Sequence, residues 1–116
     1  MRGGRSLPPT VALALAVALM HGCAAVRMPA VDEAVRGAAM VCALPIEQVE
    51  HGRQLMVTNC VACHQPVHPG SLSMEEWDEL LPRMLRKAEL TPAHGRDIRA
   101  YLVAVQQAKA TSTPRS

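Results

Sequence analysis

Hydrophobic residues recur at helical spacing in three segments of the chain, separated by stretches rich in proline and polar residues. Apolar side chains three or four positions apart fall on one face of an α-helix, so each segment predicts an amphipathic helix. The three apolar stripes are Ile46, Val49, Leu55 and Met56; Trp77, Leu80, Leu81, Met84 and Leu85; and Ile98, Tyr101, Leu102 and Val105. The pattern predicts an all-α fold, a small bundle of about three to four helices.

Capping residues indicate where these helices begin. Pro45 lies at the start of the first helix, where proline is tolerated because the first N–H groups of a helix have no helical acceptor. Ser73 and Glu76 have the spacing of a capping box at the start of the second helix. Thr91 followed by Pro92 is typical of an N-cap with proline at the first helical position.

Two residues inside the predicted helices modify this picture. Gly52 weakens the first helix by about 1 kcal/mol relative to alanine, which favours a close contact with another element there. Pro82 removes a backbone donor from the second helix, so we expect that helix to kink or end near it. Met84 would then lie at a helix end or in the following loop.

The N-terminal residues have the pattern of an export signal. Two arginines precede an apolar run at residues 10–20, which is shorter than the roughly 20 residues that span a bilayer. We predict that residues 1–22 are a signal peptide and that the mature protein is in the periplasm. The residues before Cys23 resemble a bacterial lipoprotein signal, which implies a membrane-anchoring lipid on Cys23; a plain cut after Ala25 is the alternative.

The remaining chain divides into three predicted parts. Residues 23–44 are a tether or linker with at most a short helix, residues 45–108 are the domain, and residues 109–116 are a flexible tail. The signal peptide takes two of the 12 basic residues, so ten remain against ten acidic ones. Because nucleic-acid binders concentrate basic charge, we expect no nucleic-acid partner.

Aromatic side chains are scarce in this chain. Hydrophobic residues make up 49% of it, yet Trp77 and Tyr101 are its only Phe, Trp or Tyr residues. Aromatic rings normally supply much of the buried area of a small core, and a domain of this length has little area to spare. We therefore expect an additional large apolar component in the core that is not a side chain.

Two cysteines and a histidine form the sequence CVACH at residues 60–64. This is the attachment pattern of c-type haem. The thiols of Cys60 and Cys63 each add across one vinyl group of the porphyrin, and His64 then supplies the proximal nitrogen to the iron. The motif predicts one covalently attached haem c, and such a group would be the additional apolar component.

Three other chemistries use cysteines at this spacing. A thioredoxin-like redox pair expects a βαβ setting, and no strand pattern surrounds Cys60. Zinc bound by Cys60, Cys63, His64 and His68 would have four ligands within nine residues, which fits a tetrahedral site poorly. A simple disulfide is the remaining alternative for an exported protein. Cys42 is assigned no function.

Residues 46–107 resemble the small bacterial monohaem cytochromes c. The resemblance rests on the helix before Cys60, on the CVACH motif and on the C-terminal helix with Ile98, Tyr101 and Leu102. It implies that the first and last helices of the domain pack against each other. It also implies that the bundle encloses one covalently bound haem.

The resemblance further implies a methionine before the last helix as the second axial ligand. Met84 occupies that position, although Leu85 follows it where the family usually has proline. Thioether ligation raises the reduction potential, which suits an electron carrier. The other candidates for the sixth position are Met74, His68 and His94.

Members of this family shuttle single electrons, which implies a non-enzymatic electron-transfer protein with a redox donor and a redox acceptor as partners. Two alternatives remain open. One is a ligand-binding or sensor haem protein with an open or displaceable sixth position, and the other is a haem subunit of a larger dehydrogenase. Arg83, Arg86 and Lys87 beside Met84 indicate either a docking patch for an acidic partner or the solvated positive end of a helix.

Overall fold

The computed structural model describes residues 26–114 together with Pro8. In this part of the chain all regular elements are helical, which confirms the predicted all-α class there. The elements are α1 (Glu33–Val41), α2 (Ile46–Asn59), two 3-10 turns (Cys60–Ala62 and Pro69–Ser71), α3 (Met74–Lys87) and α4 (Pro92–Ser112). Within the described residues, none of these helices combines the length and apolar character needed to cross a membrane.

The export predictions fall almost entirely on residues that the structure does not describe. The predicted signal peptide at residues 1–22, of which only Pro8 is described, lies outside this range, and so does Cys23. The export signal and the lipid attachment therefore stay predictions.

Reciprocal capping boxes begin α3 and α4. The Glu76 N–H donates to the Ser73 hydroxyl at 3.2 Å, and the Ser73 N–H donates to the Glu76 carboxylate at 2.7 Å. At α4 the His94 N–H donates to the Thr91 hydroxyl at 3.2 Å, and the Thr91 N–H donates to the His94 ring at 3.3 Å. The predicted starts of both helices are confirmed, and α2 begins directly after Pro45 as expected.

α4 is the central helix of the bundle, because α1, α2 and α3 each pack against it. It contributes the largest share of the buried core, and both rings, Trp77 of α3 and Tyr101 of α4, are buried. The buried apolar residues are Val35, Ala38, Ala39, Val49, Leu55, Met56, Trp77, Leu81, Ile98, Ala100, Tyr101, Leu102, Ala104, Val105 and Ala108.

The backbones of α2 and α4 meet at Gly52. A Cβ atom on Gly52 would lie 1.9 Å from the carbonyl oxygen of Asp97, so only glycine permits this approach. The close contact predicted at this glycine is confirmed. It joins the same two helices that the sequence resemblance pairs.

The segment at residues 23–44, predicted as a tether or linker, contains a packed helix. Three small side chains of α1 are buried in the core: Val35, Ala38 and Ala39. Ahead of this helix, the Pro29 carbonyl accepts hydrogen bonds from Arg53 Nε at 2.8 Å and from the Tyr101 hydroxyl at 2.6 Å. The packed unit therefore begins before the predicted boundary at residue 45. The helix α1 has only nine residues and buries only small side chains, so its place in the core depends on contacts with α4 that lie far away in the chain.

The helix α3 does not end near Pro82 but continues to Lys87, so Met84 lies in the last turn, at a helix end as predicted. The turn after the proline has its own anchor, since Leu85 packs so closely over Gly95 that a Cβ there would lie 2.5 Å from Leu85 Cδ1. α4 extends to Ser112, four residues into the predicted tail.

Candidate functional site

The CVACH motif begins where α2 ends. The helix stops at Asn59, and the chain continues as the 3-10 turn Cys60–Ala62. Cys60 is half-buried and packs against the core, whereas Cys63 and His64 are exposed. One thiol therefore lies at the edge of the core, and the other thiol and the imidazole face solvent.

Both cysteines of the motif are free thiols in the structure. Burial raises the pKa of the Cys60 thiol, and the neighbouring Cys63 raises it further. A raised pKa keeps Cys60 protonated at neutral pH. The structure thus presents two unpaired cysteines at the motif.

The other two cysteine chemistries also lack structural support in the described part of the chain. A thioredoxin-like pair requires a βαβ setting, and residues 26–114 contain no strand. Zinc requires several clustered ligands, and no group of three or more His, Cys, Asp or Glu side chains in the described residues could hold a metal ion.

The imidazole of His64 is held by a backbone carbonyl. Its Nδ1 lies 2.7 Å from the carbonyl oxygen of Gln65. Because a carbonyl oxygen only accepts, Nδ1 is the donor in this contact, and in the neutral ring Nε2 is then the nitrogen with the lone pair. This is the tautomer in which a histidine can bind a metal through Nε2.

Met84 shares two small cavities with the motif. The larger, of about 40 Å³, is lined by Asn59, Cys60, Cys63, His64, Met84, Lys87 and Ala88. The smaller, of about 10 Å³, is lined by Met56, Cys60, His64, Val67, Trp77, Leu81, Met84 and Ile98. The structure therefore brings together all four side chains predicted to hold haem: two thiols, an imidazole and a thioether.

The donor set and the apolar lining fit haem c. The thiols match the two vinyl groups, and imidazole with thioether is an axial pair of electron-transfer cytochromes. Both cavities are smaller than the roughly 300–1,000 Å³ of typical ligand sites. Neither cavity as it stands therefore has the volume for a porphyrin. In the adjoining segment no residue at positions 63–68 is buried or belongs to a helix or strand, and Val67 packs against the core.

The other three candidates for the sixth ligand have different environments. The His68 ring accepts a hydrogen bond from the Gly70 N–H at 3.0 Å, within the second 3-10 turn. The His94 ring belongs to the capping box of α4, and Met74 packs against the core in the first turn of α3. None of the three lines either cavity, in contrast to Met84.

The basic cluster beside Met84 is divided by the structure. Lys87 lines the larger cavity of the site. Arg86 lines a separate groove between α3 and α4, and Arg83 lines a surface depression with Glu76 and Glu79. Of the three side chains, only Lys87 lines the candidate site, and the docking patch stays a prediction.

Hydrogen bonds that the sequence does not indicate hold the segment between the motif and α3. Trp77 Nε1 donates to the Pro69 carbonyl at 3.0 Å. Gln106 Nε2 donates to the same carbonyl at 2.9 Å and to the Leu72 carbonyl at 2.8 Å. Gln106 lies outside the apolar stripe of α4 and belongs to no motif, so no sequence signal could have identified it.

The site thus consists of four donor side chains with apolar walls from α2, α3 and α4. No protein-family model matches the chain, nor does any curated protein or solved structure.

Proposed function

We propose that the protein is an exported electron-transfer protein that carries one haem c attached through Cys60 and Cys63. The observation that supports this most directly is the cavity lined jointly by both cysteines, His64 and Met84. His64 is then the proximal ligand and Met84 the second axial ligand. Haem supplies a one-electron couple between ferric and ferrous iron.

The chain's own residues prepare the proximal position. The hydrogen bond from His64 Nδ1 to the Gln65 carbonyl leaves Nε2 free and orients the ring. It also increases the electron density that Nε2 donates, as hydrogen bonds to metal-binding histidines generally do. The half-buried Cys60 fixes one attachment point to the core, while the exposed Cys63 and His64 can adjust to the group that they bind.

The walls of the site favour a high reduction potential. Met56, Trp77, Leu81 and Ile98 are buried and line the smaller cavity, so they exclude water from the Met84 side. An apolar environment disfavours the more highly charged ferric state, and the ammonium group of Lys87 beside the larger cavity acts in the same direction. The scarcity of aromatic side chains is also consistent with a porphyrin that completes the core.

Location and partners follow from the sequence pattern in this proposal. The protein is exported to the periplasm, is anchored by a lipid on Cys23 and exchanges electrons with a donor and an acceptor protein. It catalyses no reaction of its own.

Covalent haem is tested by expressing the full chain in a bacterial strain able to attach haem c and recording a pyridine haemochrome spectrum. We expect one haem per chain that survives acid–acetone extraction. Cys60→Ala and Cys63→Ala together should abolish it, whereas Cys42→Ala, which removes a cysteine outside the motif, should leave it unchanged. Absence of covalent haem from the unmodified chain would refute the proposal.

The axial ligand is tested by comparing two methionines of α3. We expect the ferric protein to be six-coordinate and low-spin, with the weak red-region absorption band of sulfur-to-iron ligation. Met84→Ala should remove this band, and Met74→Ala should retain it because Met74 lines neither cavity. Retention of the band in Met84→Ala would show that Met84 is not the ligand.

One observation favours a second candidate function, a ligand-binding or sensor haem protein. Met84 belongs to a helical turn and Leu85 follows it, so the proline that typically follows this methionine in the family is missing. Fast binding of carbon monoxide to the reduced, unmodified protein would support this candidate. Slow or absent binding supports the electron carrier.

A further inference from the structure

A groove separate from the candidate haem site lies between α3 and α4. Its volume is about 440 Å³, within the range of sites that hold small organic molecules. Its floor is apolar and is made by Leu81, Pro82, Leu85, Leu90 and Pro92. Gly95 deepens it, because the missing Cβ lets Leu85 lie against the backbone of α4.

The rim of this groove carries an excess of positive charge. Arg86, Arg96 and Arg99 line it, and Asp78 is its one acidic residue. Asp78 is neutralised by Arg99, whose Nε and a terminal nitrogen donate to the carboxylate at 2.7 and 2.8 Å. Arg86 and Arg96 form no ion pair with any residue that the structure describes. Two uncompensated guanidinium groups therefore border an apolar floor.

The length of the groove limits what can occupy it. Its lining runs from Asp78 to Arg86 along α3, which is about 12 Å at 1.5 Å per residue. An extended chain advances roughly 1.2 Å per bond, so about ten bonds fit this length. An α-helix with its side chains is about 10 Å across. A groove about 12 Å long with a volume of about 440 Å³ is therefore matched in size to a single hydrocarbon chain and not to a helix.

We propose that this groove binds a small amphipathic carboxylate, a medium-chain fatty-acid-like anion. Its hydrocarbon chain lies on the leucine and proline floor, and its carboxylate accepts hydrogen bonds from Arg86 and Arg96. Guanidinium groups match carboxylates geometrically, and such charge-assisted bonds are stronger than neutral ones. The binding does not involve the thiols, His64 or Met84, and Leu81 is the one residue that lines both this groove and the cavities of the candidate haem site.

Decanoate is the probe for the test, titrated by calorimetry into the purified full-length protein below its micelle concentration. We expect saturable binding at one site, and about fourfold weaker binding for each methylene removed from decanoate to octanoate to hexanoate. Decanol, which has the same chain without the charge, should bind at least tenfold more weakly. No saturable binding of decanoate, or equal binding of decanol, would overturn the proposal.

Two matched variants locate the site. Arg86→Gln combined with Arg96→Gln should weaken decanoate binding at least tenfold. Arg83→Gln removes a charge from the same helix but from outside the groove, so its affinity should stay within about twofold of the unmodified protein. All three arginines are exposed, so the variants should keep the helical circular dichroism of the unmodified protein.

Equal affinity in the double variant and the unmodified protein would place the anion elsewhere and contradict the proposal. Sedimentation of the protein as a dimer that excludes decanoate would also contradict it, because the groove would then be an interface between copies of the chain. Either result would leave the haem experiments unaffected, since those depend on Cys60, Cys63 and Met84.

Discussion

The helix α2 leads directly into the segment at residues 60–68, but the α2–α4 crossing and this segment differ in how they are held. At the crossing, the Gly52 backbone touches the Asp97 carbonyl. Val49, Ile98 and Leu102 around it are at most 1% exposed. These three side chains contribute to the packing of the helices.

In the segment at residues 60–68, Cys60 and Val67 pack against the core, and the residues between them contribute little. Val61 is 40% exposed, and Cys63 and His64 are also exposed. The hydrogen bond of the His64 ring goes to the adjacent residue, Gln65, and does not tie the segment to another helix. The difference teaches that Cys63 and His64 lie on the surface of the scaffold and do not hold it together. Stability and chemistry can therefore be altered separately.

The largest effect is expected from a side chain at the crossing. Gly52→Val would place carbon atoms where the Asp97 carbonyl lies, so α2 and α4 must separate. We expect the free energy of unfolding to fall by about 3 kcal/mol or more, measured by urea denaturation with circular dichroism.

The control is Gly37→Ala in α1, because a Cβ there would meet no atom within 4 Å. It should stabilise the protein by about 0.5–1 kcal/mol, since alanine is the better helix former. Similar losses in both glycine variants would contradict a special contact at Gly52.

The same substitution in the two regions compares them directly. Val49 is fully buried in the core, whereas Val61 is 40% exposed. We expect Val49→Ala to lower the free energy of unfolding by about 2 kcal/mol, because it removes buried methyl groups and leaves a cavity. Val61→Ala should change it by no more than about 0.5 kcal/mol. Equal losses would show that the segment at residues 60–68 belongs to the core after all.

The capping box of α3 should have a moderate effect that depends on pH. Ser73→Ala removes an N-cap acceptor and should cost about 1 kcal/mol at pH 7. Hydrogen bonds from the Ser73 N–H and hydroxyl lower the pKa of Glu76 below its ordinary 4.5. A lowered pKa means that the folded state favours the carboxylate, so its contribution is present above pH 4.5 and is lost as the pH falls through the folded-state value.

Glu76→Gln isolates this contribution, because glutamine keeps an oxygen acceptor without the charge. The unmodified protein should be the more stable of the two at pH 7. The difference, measured by thermal unfolding across pH, should shrink as the pH falls below 4.5. A difference that is constant from pH 7 to pH 3 would exclude a role for the ionised carboxylate.

The smallest effect is expected from the surface ion pair between α3 and α4. Arg99 lowers the pKa of Asp78 by hydrogen bonding, but both side chains are about half exposed. Solvent screening limits such pairs, so Asp78→Asn should cost about 0.5 kcal/mol, and the cost should vanish in 1 M salt. Glu79→Gln, which breaks no ion pair among the described residues, is the control and should show no salt-dependent loss.

Local features of the fold could be predicted from the sequence because their causes are local. The capping boxes at Ser73 and Thr91 depend on residues three positions apart. The close contact at Gly52 could be predicted as a feature, since glycine inside a helix has a cost that packing must offset. Its partner, Asp97, could not be predicted, because 45 residues separate the two positions and no periodicity relates them.

Pro82 shows how tertiary contacts change a local expectation. Proline disfavours a helix interior, and on that basis α3 should kink or end. The packing of Leu85 over Gly95 anchors the turn that follows, so the helix reaches Lys87. Met84 therefore belongs to a helical turn that faces the CVACH motif, an orientation that the sequence could not supply.

The sequence by itself determined the helical class and the starts of α2, α3 and α4, and it predicted a chemistry for residues 60–64, because each depends on residue types at short spacing. The tertiary structure alone decided that α1 joins the core, that Met84 and not Met74 shares a cavity with His64, and that Arg86 lines a different groove from Lys87. These outcomes depend on which helix faces meet around α4. That arrangement is set by the packing of residues far apart in the chain, which no local pattern encodes.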